Sequence, residues 1–99
     1  MAIFQPYQFE HYLIGANQTN EPIPGSSGGS YLHRLVVTIT DNSHGDVSLG
    51  HDDHNHIIVP ANAGKGVYSI ELNISSIATG FTVTTGSASQ VIAVGIFGG

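Results

Sequence analysis

Residues 66–74, Gly-Val-Tyr-Ser-Ile-Glu-Leu-Asn-Ile, constrain this chain more than any other stretch. Tyr68, Ile70, Leu72 and Ile74 fall on one side of an extended chain, and Val67, Ser69, Glu71 and Asn73 on the other. Successive strand side chains point to opposite faces, so this reads as a half-buried strand with Glu71 in water. At helical spacing the same apolar residues scatter round the cylinder. A strand of this kind needs a sheet to join and a second layer to cover it. Residues 66–74 are therefore the predicted centre of the fold.

The neighbouring segments repeat the pattern. In residues 31–40, Leu35, Val37 and Ile39 share one face, and Arg34, Thr38 and Thr40 the other. Val36 interrupts the alternation, which predicts partial cover of the second face. Asp41 to Gly45 is turn chemistry, and Val47 with Leu49 starts a short strand. Residues 51–56 are expected to be a polar loop. Ile57, Ile58 and Val59 form an apolar run that Pro60 ends, so that strand is short or at an edge. Phe81, Val83 and Thr85 alternate with Thr82 and Thr84. The last strand, residues 91–97, is apolar on both faces: Val91 and Ala93 on one, Ile92, Val94 and Ile96 on the other. Six or seven short strands with frequent turns and no convincing helix predict an all-β fold, a small antiparallel β-sandwich of jelly-roll-like form.

The N-terminal third reads differently. Four of the eight aromatic residues, Phe4, Tyr7, Phe9 and Tyr12, lie in the first sixteen positions. A disordered tail would not be aromatic-rich, so this segment is expected to dock on its own domain or on a neighbour. Asn17, Asn20, Pro22, Pro24 and the Gly-Ser-Ser-Gly-Gly-Ser run at 25–30 have linker composition. The expected organisation is an arm and linker over residues 1–29 and a sandwich over residues 30–99. Deleting residues 1–20 is then expected to leave a folded sandwich.

Composition bears on partners. Only Arg34 and Lys65 are reliably positive, against seven carboxylates, for a formal net charge of −5. Phosphate contacts need clustered Lys and Arg, so nucleic acid and anionic membranes are not expected partners. No apolar run approaches the ~20 residues of a membrane helix, and no signal peptide is expected at the N-terminus. Ninety-nine residues without a cysteine must stabilise a modest core by other means, such as self-association or metal.

Few residues offer chemistry. The sharpest cluster is His-Asp-Asp-His-Asn-His at 51–56. Imidazole and carboxylate ligate zinc, nickel or iron, and His54 and His56 point the same way in an extended chain. His44 lies upstream and could approach from across the hairpin. The plainer reading is a polar turn, since Asp and Asn tolerate turn geometry. No metal or other cofactor is favoured; His51, His54 and His56 are the weak metal candidates, and melts are expected not to move with Zn²⁺ or Ni²⁺. His33 reads as an ordinary strand residue. No nucleophile elbow, phosphate loop or paired carboxylates occur, so no catalytic residue is assigned and no enzyme is expected. The two Asn-x-Ser/Thr matches, at Asn17 and Asn73, are taken as chance.

The order of strands carries a resemblance. Leu32-His33-Arg34-Leu35-Val36-Val37, a short hairpin formed by residues 46–49 and 57–59, the alternating strand 67–74, Gly80-Phe81-Thr82-Val83-Thr84-Thr85-Gly86 and the apolar strand 91–97 succeed one another. From about residue 30 to the C-terminus this layout resembles a family of small β-sandwich proteins of tailed-bacteriophage structural gene clusters. The histidine-bearing tip departs from that family's Thr/Ser/Gly-rich hairpin. The resemblance implies a non-enzymatic virion structural protein, assembled in the host cytoplasm. Its expected role is capsid decoration (cement), as a homotrimer bound to the major capsid protein or another virion protein. Phe4, Tyr7, Phe9, Tyr12, Ile92, Val94 and Ile96 are the candidate interface residues. The alternative role is a tail, neck or fibre module that binds host carbohydrate through aromatic, Asn, Asp and His side chains.

Overall fold

The computed structural model describes residues 9–97. They form eight strands: β1 (Glu10–Ile14), β2 (Glu21–Pro22), β3 (Tyr31–Ile39), β4 (Val47–His51), β5 (His54–Val59), β6 (Gly66–Ser75), β7 (Thr82–Thr84) and β8 (Ser89–Ile96). One antiparallel sheet has the order β1-β8-β3-β6 and the other β2-β7-β4-β5. First pairs with last, second with seventh, third with sixth and fourth with fifth. The chain is thus a long hairpin doubled at the β4–β5 turn and rolled into two sheets, the eight-stranded jelly roll.

The alternation seen in the sequence decides which side of each strand meets the core. Leu32, Leu35, Val37 and Ile39 of β3 and Val91 and Ala93 of β8 are buried. Across the sandwich they face a layer that includes Val47, Leu49, Val59 and Val83, with Phe81 fully buried beside β7. Tyr68, Ile70, Leu72 and Ile74 turn inward and pack against this core, but only half-buried. The facing of β6 is as the sequence indicates. Its position is not: β6 is an edge strand, and β3 and β8 are the inner strands of their sheet. Glu71 lies on the outer face, 3.3 Å from Arg34 of β3, in an exposed ion pair.

Residues 10–23 are no arm. β1 is hydrogen-bonded along β8 from Glu10↔Gly95 to Ile14↔Val91, and Ile14 and Ile23 are core residues. Between them the polar segment crosses from one sheet to the other. Its backbone is tied down at each step: Asn17 N–H donates to Gly86 O, Thr85 N–H to Gln18 O, and Ile23 N–H to Phe81 O. Composition alone gave this segment the look of a linker, but its polar groups are spent on pairing with β7 and its flanks. The expected boundary at residues 29 and 30 therefore does not separate an arm from the sandwich for the described part. Phe4 and Tyr7 lie outside the described residues.

Register slips once where β3 passes between its neighbours. His33 is an extra residue relative to β8, and the β6 side carries its own extra residue near Asn73, which has a φ of 53°. The backbones close up there. A Cβ on Gly95 would overlap the Tyr31 carbonyl oxygen, so a side chain cannot be fitted without moving β3.

Candidate functional site

The histidine segment is not a loop. β4 and β5 run on to His51 and His54, which pair directly, and only Asp52 and Asp53 make the turn. Both have positive φ, 46° and 64°, as a two-residue hairpin turn of the I′ type requires. Asp tolerates the left-handed region better than most residues, so the turn forms without glycine.

Asp52 is fixed by more than its own backbone. Its carboxylate accepts the backbone N–H groups of Ile77 (2.7 Å), Ala78 (2.8 Å) and Thr79 (2.9 Å). In return Asp52 N–H donates to Thr79 Oγ1 at 2.8 Å. The hairpin tip is therefore clamped to the β6–β7 connection. These amides, Thr79 first and then Ile77 and Ala78, hold the Asp52 carboxyl far below the ordinary carboxylate range, with a smaller lowering from His51. Partial burial opposes them and loses.

Antiparallel pairing puts His51 and His54 on one face, and the two-residue period puts His56 beside His54. The ring centres are 5.8 Å apart for His51 and His54, 5.3 Å for His51 and His56, and 6.2 Å for His54 and His56. His51 also rests 5.5 Å from the Phe81 ring. Its Nδ1–H donates to Asp52 at 3.4 Å. Its Nε2 is the one buried side-chain nitrogen or oxygen among the described residues with no hydrogen-bond partner. His54 and His56 are exposed. As they stand, no three His, Cys, Asp or Glu side chains among the described residues are arranged to hold a metal ion.

His44 is committed elsewhere. It is buried, its Nδ1–H donates to Gly45 O at 2.9 Å, and its Nε2 accepts Ala63 N–H at 3.0 Å and Gly64 N–H at 3.3 Å. It fastens the β5–β6 turn to the β3–β4 turn and does not approach the hairpin tip, contrary to the possibility raised by its sequence position. The loops that flank it share the task, since Asn42 accepts Lys65 N–H and Asp46 accepts Ala61 N–H.

Beside the turn lies an open cleft of about 410 Å³. Asn20, Pro22, Asp53, His54, Asn55 and Thr82 are among the residues that line it, most of which carry polar side chains. The 51–56 segment supplies one wall; the other walls, from residues 20–26 and 79–82, carry no sequence signal, because only the fold brings these three segments together.

The candidate interface residues divide. Ile92, Val94 and Ile96 lie on the outer face of the first sheet, while Val91, Ala93 and Phe97 are buried. Ile92 is directly opposite Leu13 on one side and Val36 on the other. Leu13 is 66% exposed and Ile92 38%. Tyr12 points the other way: it packs against the core, 5.8 Å from Phe97, and its hydroxyl donates to Glu10. It cannot serve an outer interface. Phe9 stacks on His33 at 4.7 Å with the rings nearly parallel. His33 Nδ1–H and Tyr31 Oη–H both donate to Asn73 Oδ1, which gathers these side chains over the register slip.

Comparison of the chain with family models, with curated proteins and with solved structures returns no match.

Proposed function

We propose that this chain is a non-enzymatic structural protein that works by docking the outer face of its β1-β8-β3-β6 sheet onto other subunits. The observation that carries the reading is the apolar row Leu13–Ile92–Val36, set in register across three strands and left open to solvent. Val94 and Ile96 extend it along β8, both half-exposed. Isolated surface hydrophobics need no explanation, but a contiguous patch of this kind marks a contact surface. Charged side chains are sparse around it, with His11, Arg34 and Glu71 in the adjoining row. The low charge of the whole chain suits an interface whose centre is depleted of ions.

Together with the resemblance to virion components, the specific form of this reading is capsid decoration: a homotrimer seated on the major capsid protein in the assembled particle. Capsid and lectin domains both use jelly rolls, so the architecture is compatible with this role without selecting it. A carbohydrate-binding tail or fibre module is the second reading, and the open cleft beside the Asp52–Asp53 turn, with Asn20, Asp53 and Asn55 among its lining residues, favours it.

The two readings separate on variants. Ile92→Glu and Leu13→Glu place charge in the apolar row and should abolish self-association or particle binding while leaving the melting midpoint within a few degrees. Asn55→Ala should leave association intact and abolish glycan-array binding if the cleft holds sugar. Association unaffected by either Glu variant, with Asn55-dependent glycan binding, contradicts the docking reading.

A further inference from the structure

We propose that His51, His54 and His56 form a binding site for one first-row divalent transition metal ion of the Zn²⁺ class, at the tip of the β4–β5 hairpin.

Three imidazoles on one face of a two-stranded ribbon are a ligand set with the right chemistry for zinc, nickel or copper. Spacing agrees. Three ring nitrogens at ~2.0–2.1 Å from a tetrahedral ion place the ring centres about 5 Å apart. The centres here are 5.3, 5.8 and 6.2 Å apart, before any ligand draws them in. The donor atoms do not meet at one point as they stand. His54 and His56 are exposed, so a change of rotamer at each costs little and can bring them together.

A second, independent observation singles out His51. A metal-ligating histidine usually gives its other N–H to a carboxylate, which fixes the tautomer and leaves one nitrogen bare. His51 already has this arrangement. Nδ1–H is held by Asp52, which the amides of residues 77–79 anchor, and Nε2 is left with a lone pair and no partner. An orphaned buried acceptor is costly in a folded protein and calls for a partner. A cation satisfies it, whereas a polar turn has no use for it. With three protein ligands the ion keeps one position for water or for a donor from another molecule. This reverses the sequence-based expectation that the segment is indifferent to metal, and it stands apart from the docking face.

The test is equilibrium dialysis and calorimetry of the purified full chain with Zn²⁺ at neutral pH, with Co²⁺ absorption as a probe of coordination. The variants are His54→Ala, His56→Ala and the double substitution; both positions are exposed, so the fold should survive, and circular dichroism checks it. Expected are one equivalent of Zn²⁺ bound in the micromolar range or tighter, a raised melting midpoint, and a tetrahedral Co²⁺ spectrum. The double variant should bind at least tenfold more weakly and lose the Co²⁺ spectrum. No uptake at 100 µM Zn²⁺, or uptake that the double variant leaves unchanged, overturns the proposal.

Discussion

The carboxylate of Asp52 accepts the backbone N–H of Thr79 at 2.9 Å, across twenty-seven residues of chain. With Ile77 and Ala78 it makes a small anion nest that joins the hairpin tip to the β6–β7 connection. Acid should undo it. The folded-state pKa of Asp52 is depressed, so its contribution is fully present above the unfolded carboxylate value of ~3.9 and is lost as pH falls below it. Melts between pH 6 and pH 2 should show stability falling below about pH 4. Asp52→Asn should be less stable at pH 6 and lose less on acidification. An identical acid profile in the variant would mean the clamp does not contribute.

The two turn residues should respond oppositely to the same change. Asp52 and Asp53 both hold positive φ, which glycine adopts without penalty. Asp53 is exposed and none of its side-chain contacts helps hold the tip, so Asp53→Gly should stabilise by up to about 1 kcal/mol. Asp52→Gly relieves the same backbone strain but removes the acceptor of three amides, and should lower the melting midpoint. Equal shifts in both variants would show that φ alone governs the turn.

Core sensitivity should follow sheet order. Leu35 on inner strand β3 is fully buried, and Leu35→Ala should cost about 2–5 kcal/mol. Leu72 on edge strand β6 is half-buried, and Leu72→Ala should cost about 1–2 kcal/mol. Glu71 sits in an exposed ion pair, so Glu71→Ala should cost about 0.5 kcal/mol or less. Denaturant melts of the three variants rank them; a Leu72 cost equal to that of Leu35 would contradict the edge placement.

Removing residues 1–20 should now unfold the protein, because it strips β1 from β8 and takes Ile14 out of the core. The loss of five paired residues and an exposed β8 edge would consume much of a stability that is only ~5–15 kcal/mol in domains generally. Circular dichroism of the truncated chain decides it, with a cooperative melt near that of the full chain as the contrary result.

Much of this fold was legible in the residues, and the gaps have physical causes. Alternation in residues 31–39 and 66–74 reports which face of a strand is wet, so Leu35, Val37, Ile70 and Glu71 could be oriented by reading. Alternation carries nothing about sheet order, so β6 looked central although it lies at an edge. Residues 10–23 pair with partners some 60 to 85 positions away, largely through backbone groups, and Asn, Gln and Pro there look like a linker because their side chains do not record the pairing. The His51–His56 segment lacked the Asn-Gly signal of a tight hairpin, so a two-residue turn read as a six-residue loop. Its histidines were visible at once. The Asp52 clamp that orders them was not, because its donors are main-chain amides of residues 77–79.

The mass of the unmodified protein in solution bears most directly on the docking face. Light scattering across a concentration series that reaches micromolar should give a multiple of the 10.4 kDa chain, threefold for the trimer form, since the docking reading requires the Leu13–Ile92–Val36 row to be covered by other copies. A stable monomer of 10.4 kDa across that series, with no loss of solubility, would contradict self-association through this face.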